Sequence, residues 1–205
     1  MTNAMAIPAI AIRHNPIRHN PVRHNPNSMT AAPLLITSFQ PWRAHQLSNT
    51  SDDLIAALQQ RNQLPTNSFW VRNVPVNFET ASIPVLNAIQ QWRPHTVVCC
   101  GMAEKRAQLS LEKFARQGGR TLETGLSLQS LLLGTQLSEV SFDAGAYVCN
   151  HLYYQILNAL QTKKLKTQAL FIHVPMLTPE NRRWIAEDFA AICFRLQEMY
   201  RSKIV

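Results

Sequence analysis

The chain has 205 residues, 46% of them hydrophobic, which is enough for one domain with an ordinary globular core. Its formal charge is +8 at pH 7, with three of the arginines in an N-terminal tail and most other cations scattered. No apolar run approaches the roughly 20 residues that span a bilayer, and no signal-peptide pattern begins the chain. We therefore predict a soluble, cytoplasmic protein with no membrane partner.

The N-terminal tail carries a five-residue repeat, IRHNP-IRHNP-VRHNP, at residues 12–26. Each Asn-Pro step interrupts a helix, and a proline at every fifth position excludes a central strand. We predict a disordered tail at residues 1–32 and one domain at residues 33–205. A histidine-rich tract can bind metal, but a perfect short repeat is typical of duplicated coding sequence, so we assign it no function. Met29 is an alternative start.

The cysteines show no disulfide or metal-ligand spacing. Two of the four are adjacent in an apolar run, and no Cys-x-x-Cys pattern occurs. We therefore predict reduced thiols and neither a metal nor another cofactor. The four positions are Cys99, Cys100, Cys149 and Cys193.

In chain order, the first half of the domain alternates short apolar strands with amphipathic helices. A helix follows the capping residues 50–53. Pro75 predicts an edge or an end for the second strand. The predicted strands are Leu34–Ser38, Ser68–Val76 and His95–Gly101, and the second helix is Ile83–Trp92.

In the second half, the pattern predicts mostly helix or loop at residues 110–133, and a short strand at Val140–Phe142 leading to Cys149 and a helix. Another apolar strand is predicted at Ala169–Pro175. The last helix has Thr178 as its predicted N-cap and Pro179 at its first position. Its apolar stripe comprises Ile185, Phe189, Ile192, Leu196 and Met199.

This alternation predicts an α/β fold, a three-layer α/β/α arrangement around a central mixed, largely parallel sheet. In such sheets, reactive groups collect where strands end and helices begin. Cys149 lies at such a junction, within AGAYVCN, and the start of a helix favours a thiolate. His173, at the end of an apolar strand, is a candidate base. A carboxylate would orient it, and the candidates are Glu104, Glu112, Glu123 and Asp143.

The block AGAYVCN, followed downstream by FIHVP, resembles the pyroglutamyl peptidase I family of cysteine peptidases, also called pyrrolidone carboxyl peptidases. LLITSFQPW resembles the family's first strand and loop, with its F-E-P-F motif. VPVNF and GMAEKRAQLSLEKFA are similar to further family segments in the expected order. The resemblance covers most of residues 34–177.

The resemblance implies a thiol protease that hydrolyses an N-terminal pyroglutamyl residue from a peptide or small amide through an acyl-enzyme. It implies Cys149 as the nucleophile, His173 as the base and then the acid, and Glu112 as the residue that orients His173. It implies that Phe39 and Trp42 enclose the pyroglutamyl ring, whose flat amide suits aromatic faces. No metal or cofactor is implied.

The sequence departs from the family where it would contact substrate. Arg43-Ala44 replaces a Gly-Gly pair, Ser38 replaces a glycine, and Lys105-Arg106 replaces a Gly-Arg pair. Only 37 residues separate Glu112 from Cys149, and an A-Y-x-S-T-L-P segment is missing. An active-site arginine of the family has two candidate counterparts, Arg116 and Arg120.

Three alternatives therefore remain open: a relative acting on another acyl or amide substrate, a non-catalytic binding module, and a nucleic-acid-binding protein. The enzyme predicts alkylation of Cys149 below the ordinary thiol pKa of about 8.5. Nucleic-acid binding would rest on the tail and on Lys163–Lys166, and the lack of neighbouring aromatic residues makes us expect none. Homo-oligomerisation is left open by the sequence.

Overall fold

The computed structural model describes residues 33–201, so the whole predicted tail, with its repeat, lies outside the described residues. The elements alternate as expected for an α/β protein. The strands are β1 (Leu34–Phe39), β2 (Ser68–Val74), β3 (Thr96–Met102), β4 (Leu109–Glu112), β5 (Phe114–Gln117), β6 (Arg120–Glu123), β7 (Ser138–Ser141) and β8 (Gln168–Val174). The helices are α1 (Thr50–Gln60), α2 (Ser82–Trp92), α3 (Leu128–Leu131), α4 (Val148–Thr162) and α5 (Arg182–Arg201).

The main sheet has six strands in the order β2-β1-β3-β8-β4-β7. Four neighbouring pairs are parallel, and the pair of β4 with β8 is antiparallel. The predicted mixed, largely parallel sheet is therefore confirmed. β2 lies at the edge, as Pro75 predicted. The C-terminal ends of β3 and β8 lie side by side, with Gly101 opposite His173.

Helices cover both faces of this sheet, because the central strands are apolar on both sides. Along β1, Leu34 and Ile36 pack in one core cluster with α1, α3 and α5. The intervening Leu35 packs in the other cluster, with α2 and α4. Burying each such side chain contributes about 1.5–3 kcal/mol, so the three-layer arrangement follows from the strand pattern.

The segment 110–133 differs from its prediction of helix or loop. It contains the inner strand β4 and the antiparallel hairpin of β5 and β6, with only the four-residue α3 helical. Gly118 and Gly119 form the hairpin turn with φ of 55° and 75°, a left-handed region that glycine adopts without strain. A Gly-Gly pair between two short polar strands was the available signal.

The last helix begins at Arg182 rather than at Pro179, because residues 178–181 form a turn. In this turn Asn181 Oδ1 accepts a hydrogen bond from the Thr178 N–H at 2.8 Å. The predicted stripe is confirmed, with Ile185, Phe189, Ile192 and Leu196 buried and Met199 packed against the same cluster. Among residues 33–201, no helix is long and apolar enough to cross a membrane.

Candidate active site

Cys149 is the second residue of α4, which confirms that this cysteine begins a helix. Tyr147 precedes the helix in an extended conformation, and its side chain makes no capping hydrogen bond. The backbone N–H groups of the first helical turn lack intrahelical partners and carry the positive end of the helix dipole. A negative charge that develops near this cysteine is therefore stabilised.

His173 is the penultimate residue of β8 and is buried. Its Nδ1 lies 2.7 Å from Oε1 of Glu112, the last residue of β4. An ionised carboxylate only accepts hydrogen bonds, so Nδ1 carries a proton and donates a hydrogen bond to Glu112. The second ring nitrogen, Nε2, is then the basic atom of this imidazole.

Because Gly101 has no side chain, the predicted nucleophile, Cys149, can lie against the same sheet edge. It is the strand partner of His173, and a Cβ built on Gly101 would lie only 2.7 Å from Cys149 Sγ. The same Cβ would lie 2.9 Å from Cζ of Phe171, whose ring is 4.9 Å from the His173 ring. Sequence reasoning missed Gly101, although a glycine that ends a buried strand is a signal for close approach.

The other three candidate carboxylates are engaged elsewhere. Glu104 contacts Arg43 and Gln46 on the surface, Glu123 pairs with Lys113, and Asp143 is exposed near Arg116. Among the carboxylates that the structure describes, Glu112 is the one that contacts His173. The structure thus places Glu112 in a strand and fully buried, not on a solvated helix face.

Arg106 is a second residue that sequence reasoning did not assign to the site. Its Nη2 lies 3.0 Å from Glu112 Oε1 and donates a 2.8 Å hydrogen bond to the carbonyl of Asp143. The guanidinium therefore connects the buried carboxylate to the loop that leads to Cys149. Because a buried charge without a partner is costly, the contact with Arg106 offsets part of the cost of burying Glu112.

The surroundings of Cys149 favour its neutral thiol over the thiolate. The residue is half-buried, but its sulfur lies against Gly101, and the residue packs on the core cluster that contains Phe171. Burial raises the pKa of Cys149 to about 12, and the charge of Glu112 acts in the same direction, against a lowering by the Cys149 backbone N–H. This direction is opposite to the expectation of a pKa below about 8.5, because desolvation outweighs the helix terminus.

The two predicted ring-binding residues lie in different surroundings. Phe39 is only 2% exposed and packs 6.5 Å from the Phe171 ring, beneath the sheet edge. Trp42 is 49% exposed and lies 6.3 Å from the ring of Tyr147, which is also exposed. The structure thus brings Trp42 together with Tyr147, which lies two residues before Cys149 and which sequence reasoning did not single out.

A cleft of about 620 Å³ lies beside the start of α4. Its walls are the tip of the β5–β6 hairpin, the loop before Cys149, and the first turn of the helix. Both candidate arginines, Arg116 and Arg120, line it, and Phe78 lies across from them with its ring 5.3 Å from His151. The residues on its helix side are Gly145, Ala146, Tyr147, Asn150 and His151.

The remaining cysteines do not take part in this arrangement. Cys99, Cys100 and Cys193 are free and fully buried, and burial raises the pKa of each. Within residues 33–201, no group of three or more His, Cys, Asp or Glu side chains is arranged to hold a metal ion.

A family model described as pyroglutamyl peptidase matches residues 32–118 and 134–191. A pyrrolidone-carboxylate peptidase of Brevibacillus brevis is 24% identical over 178 residues, covering 73% of this chain and 81% of the relative. A pyrrolidone-carboxylate peptidase of Halalkalibacterium halodurans is 28% identical over 170 residues, covering 69% of this chain and 83% of the relative.

Solved structures agree on the fold. Pyroglutamyl peptidase I of Bacillus amyloliquefaciens superposes with a TM-score of 0.69 at 22% identity, covering 79% of this chain and 95% of that one. The pyrrolidone carboxyl peptidase of Thermococcus litoralis superposes with a TM-score of 0.69 at 19% identity, covering 85% of this chain and 96% of that one. The class is therefore that of cysteine-type peptidases. Because the family model matches more than half of the chain, the protein belongs to the pyroglutamyl peptidase family.

Proposed function

We propose that the protein hydrolyses the amide bond that follows an N-terminal pyroglutamyl residue, with Cys149, His173 and Glu112 as a catalytic triad. The observation that carries the proposal is the 2.7 Å contact between His173 and the buried Glu112, at the sheet edge where Gly101 meets the Cys149 sulfur. Family membership and the names of the relatives support the substrate class.

Activation begins from a neutral thiol, since burial raises the pKa of Cys149 to about 12. His173 Nε2 removes the thiol proton as Sγ attacks the substrate carbonyl carbon, so a base is needed in the same step. Glu112 holds the ring by its Nδ1–H and stabilises the imidazolium that forms.

The tetrahedral intermediate carries its negative charge on the former carbonyl oxygen. Free N–H groups in the first turn of α4 stabilise that charge. His173 then protonates the leaving amine, the C–N bond breaks, and a thioester joins Cys149 to the pyroglutamyl acyl group. Water, deprotonated by His173, attacks the thioester and restores the thiol.

The flat lactam ring fits best against the exposed faces of Trp42 and Tyr147. Phe39, which lies beneath them in the core, would support the sheet edge rather than contact most of the ring. We propose that the enzyme needs no metal or cofactor, because its own side chains supply the nucleophile, the base and the proton. The free thiols fit the reducing cytoplasm as its location.

Release of a chromophore from a pyroglutamyl amide tests the proposal. We expect turnover by the wild type and its loss in Cys149→Ala. Cys193→Ala is the matched control, because it also removes a thiol, but from the buried face of α5. A folded wild type without turnover, or a fully active Cys149→Ala, would overturn the proposed activity.

One observation favours a second candidate, a thiol hydrolase acting on a different acyl amide. The family model leaves residues 119–133 unmatched, and these include β6 from the cleft wall. Substrate-contacting parts change without loss of the catalytic edge when they lie on separate elements. Turnover of other N-acyl amides, dependent on Cys149 and absent with pyroglutamyl amides, would select this candidate.

A further inference from the structure

The cleft at the start of α4, which Tyr147 and Asn150 line but Cys149 does not, is positively charged. Arg116 and Arg120 both line it, and among its described lining residues none is acidic. Arg116 is partly engaged, since it donates a 2.8 Å hydrogen bond to the carbonyl of Phe142 and lies 3.8 Å from Asp143 Oδ1. Arg120 is exposed and has no carboxylate partner among residues 33–200.

The β5–β6 hairpin, which carries Arg116 and Arg120, is held in position relative to the predicted nucleophile. Asn150, the residue after Cys149, accepts a 2.8 Å hydrogen bond from the Arg116 backbone N–H and donates one of 2.7 Å to the Arg116 carbonyl. One turn further along α4, Gln155 donates to the side chain of Gln117 at 3.3 Å. The hairpin is thus attached to the helix whose first turn carries the thiol.

Tyr147 separates this cleft from the aromatic surface proposed for the lactam ring. Its ring contacts Trp42, which does not line the cleft, while Tyr147 itself does. If the acyl group occupies the Trp42 side of Tyr147, the leaving peptide extends toward the arginines. Arg120 lies in the segment of residues 119–133, which the family model does not match.

We propose that the cleft binds a carboxylate on the leaving peptide, so that the preferred substrates are short pyroglutamyl peptides with a free C-terminal carboxylate. The proposal rests on the pyroglutamyl activity proposed above. A pyroglutamyl peptide has no N-terminal ammonium group, so in a short neutral peptide the terminal carboxylate is the one charge. Arginine binds carboxylates through paired N–H donors, and a cationic cleft attracts anions from a distance.

Two matched substrate pairs test the preference. Pyroglutamyl-alanine is compared with its C-terminal amide, and pyroglutamyl-alanyl-alanine with its own amide, by following release of the leaving amine. We expect kcat/KM to be about fivefold higher for the free acid in at least one pair, mainly through KM, as for an exposed charge pair. Added salt should reduce this ratio because it screens exposed charges.

Arg120→Gln should bring the ratio of acid to amide kcat/KM close to one. Arg61→Gln is the matched control, since it removes the same charge from the exposed end of α1, away from the cleft, and should keep the wild-type ratio. Thermal unfolding of both variants establishes that each is folded.

The outcomes separate the two proposals. If neither member of a pair nor a chromogenic pyroglutamyl amide is cleaved, the proposed function fails and this inference with it. If the chromogenic amide is cleaved but acid and amide peptides react equally, or the amides react faster, the carboxylate site alone is overturned. A preference that survives in Arg120→Gln overturns the role of Arg120.

Discussion

The sheet edge that holds His173 and Glu112 is buried. By contrast, the loop after β1 and the β5–β6 hairpin, which flank Cys149, are exposed. At the buried edge, His173 and Glu112 are positioned by strand register and by contacts with further side chains, as Glu112 contacts Arg106. On the exposed side, Trp42 and Arg120 project from loop or hairpin residues. The geometry proposed for catalysis is therefore held by several contacts, while the residues proposed to contact substrate can change at little cost in stability.

Among the substitutions below, removal of the predicted base should lower activity the most. His173→Ala leaves the neutral Cys149 thiol without a proton acceptor, so we expect kcat to fall by about 10³-fold or more. His45→Ala is the control, because His45 is an exposed histidine near Glu104. Steady-state turnover of a chromogenic pyroglutamyl amide measures both. Equal losses in the two variants would contradict a catalytic role for His173.

The ionisation of Cys149 should differ from that of a surface thiol by about three pH units, since burial raises its pKa to about 12. A raised thiol pKa keeps the protonated form below that pH, so the thiolate should be nearly absent at neutral pH and should increase only in strongly alkaline solution. Ultraviolet absorbance of the thiolate, as the difference between wild type and Cys149→Ala, measures this. A full thiolate signal near neutral pH would instead favour a preformed ion pair with His173.

Gly101→Ala tests the close approach at the buried edge. The added Cβ would lie 2.7 Å from Cys149 Sγ, so sulfur or strand must shift, and we expect about 10²-fold lower kcat. Gly125→Ala is the matched control: its Cβ would lie 2.8 Å from Gln168 Oε1, the movable end of a flexible side chain. Similar kcat values for the two variants would mean that the thiol position is not critical.

Arg106→Gln should lower kcat about tenfold with little change in KM, because Glu112 loses the cation that holds it and the Asp143 loop. Arg106→Lys should recover part of the loss. Arg183→Gln removes an exposed pair with Glu187 and should change neither kcat nor the melting temperature. A loss of stability in Arg106→Gln with kcat intact would give Arg106 a structural role only.

Asn150→Ala should have the smallest effect. It removes both hydrogen bonds to the Arg116 backbone, so the hairpin moves relative to α4 and KM should rise a few-fold, about 1 kcal/mol of binding. Gln155→Ala, which removes one longer bond to Gln117, should change KM less. Progress curves with pyroglutamyl peptides give both values. A drop in kcat at constant KM would show that Asn150 acts on the thiol instead.

Much of the fold could be predicted from the sequence, because long apolar strands and an amphipathic last helix carry strong local patterns. The β4–β6 region could not, because four-residue strands show too little alternation to distinguish them from loop or helix. The inner position of β4 depends on pairing with β7 and β8, which are distant in sequence. Its Glu112 therefore became buried through tertiary pairing that no local pattern indicated.

The sequence by itself determined the α/β class, the helix that begins at Cys149, the strand that ends at His173, and the family blocks around both, because each is a short-range pattern. Only the tertiary structure decided that Glu112 is buried against His173, that Gly101 packs against the Cys149 thiol, and that Arg106 contacts Glu112. It also placed the Cys149 sulfur where burial raises the pKa of the thiol. Those properties depend on burial and on contacts between distant segments, and desolvation of the sulfur outweighs the local effect of the helix terminus.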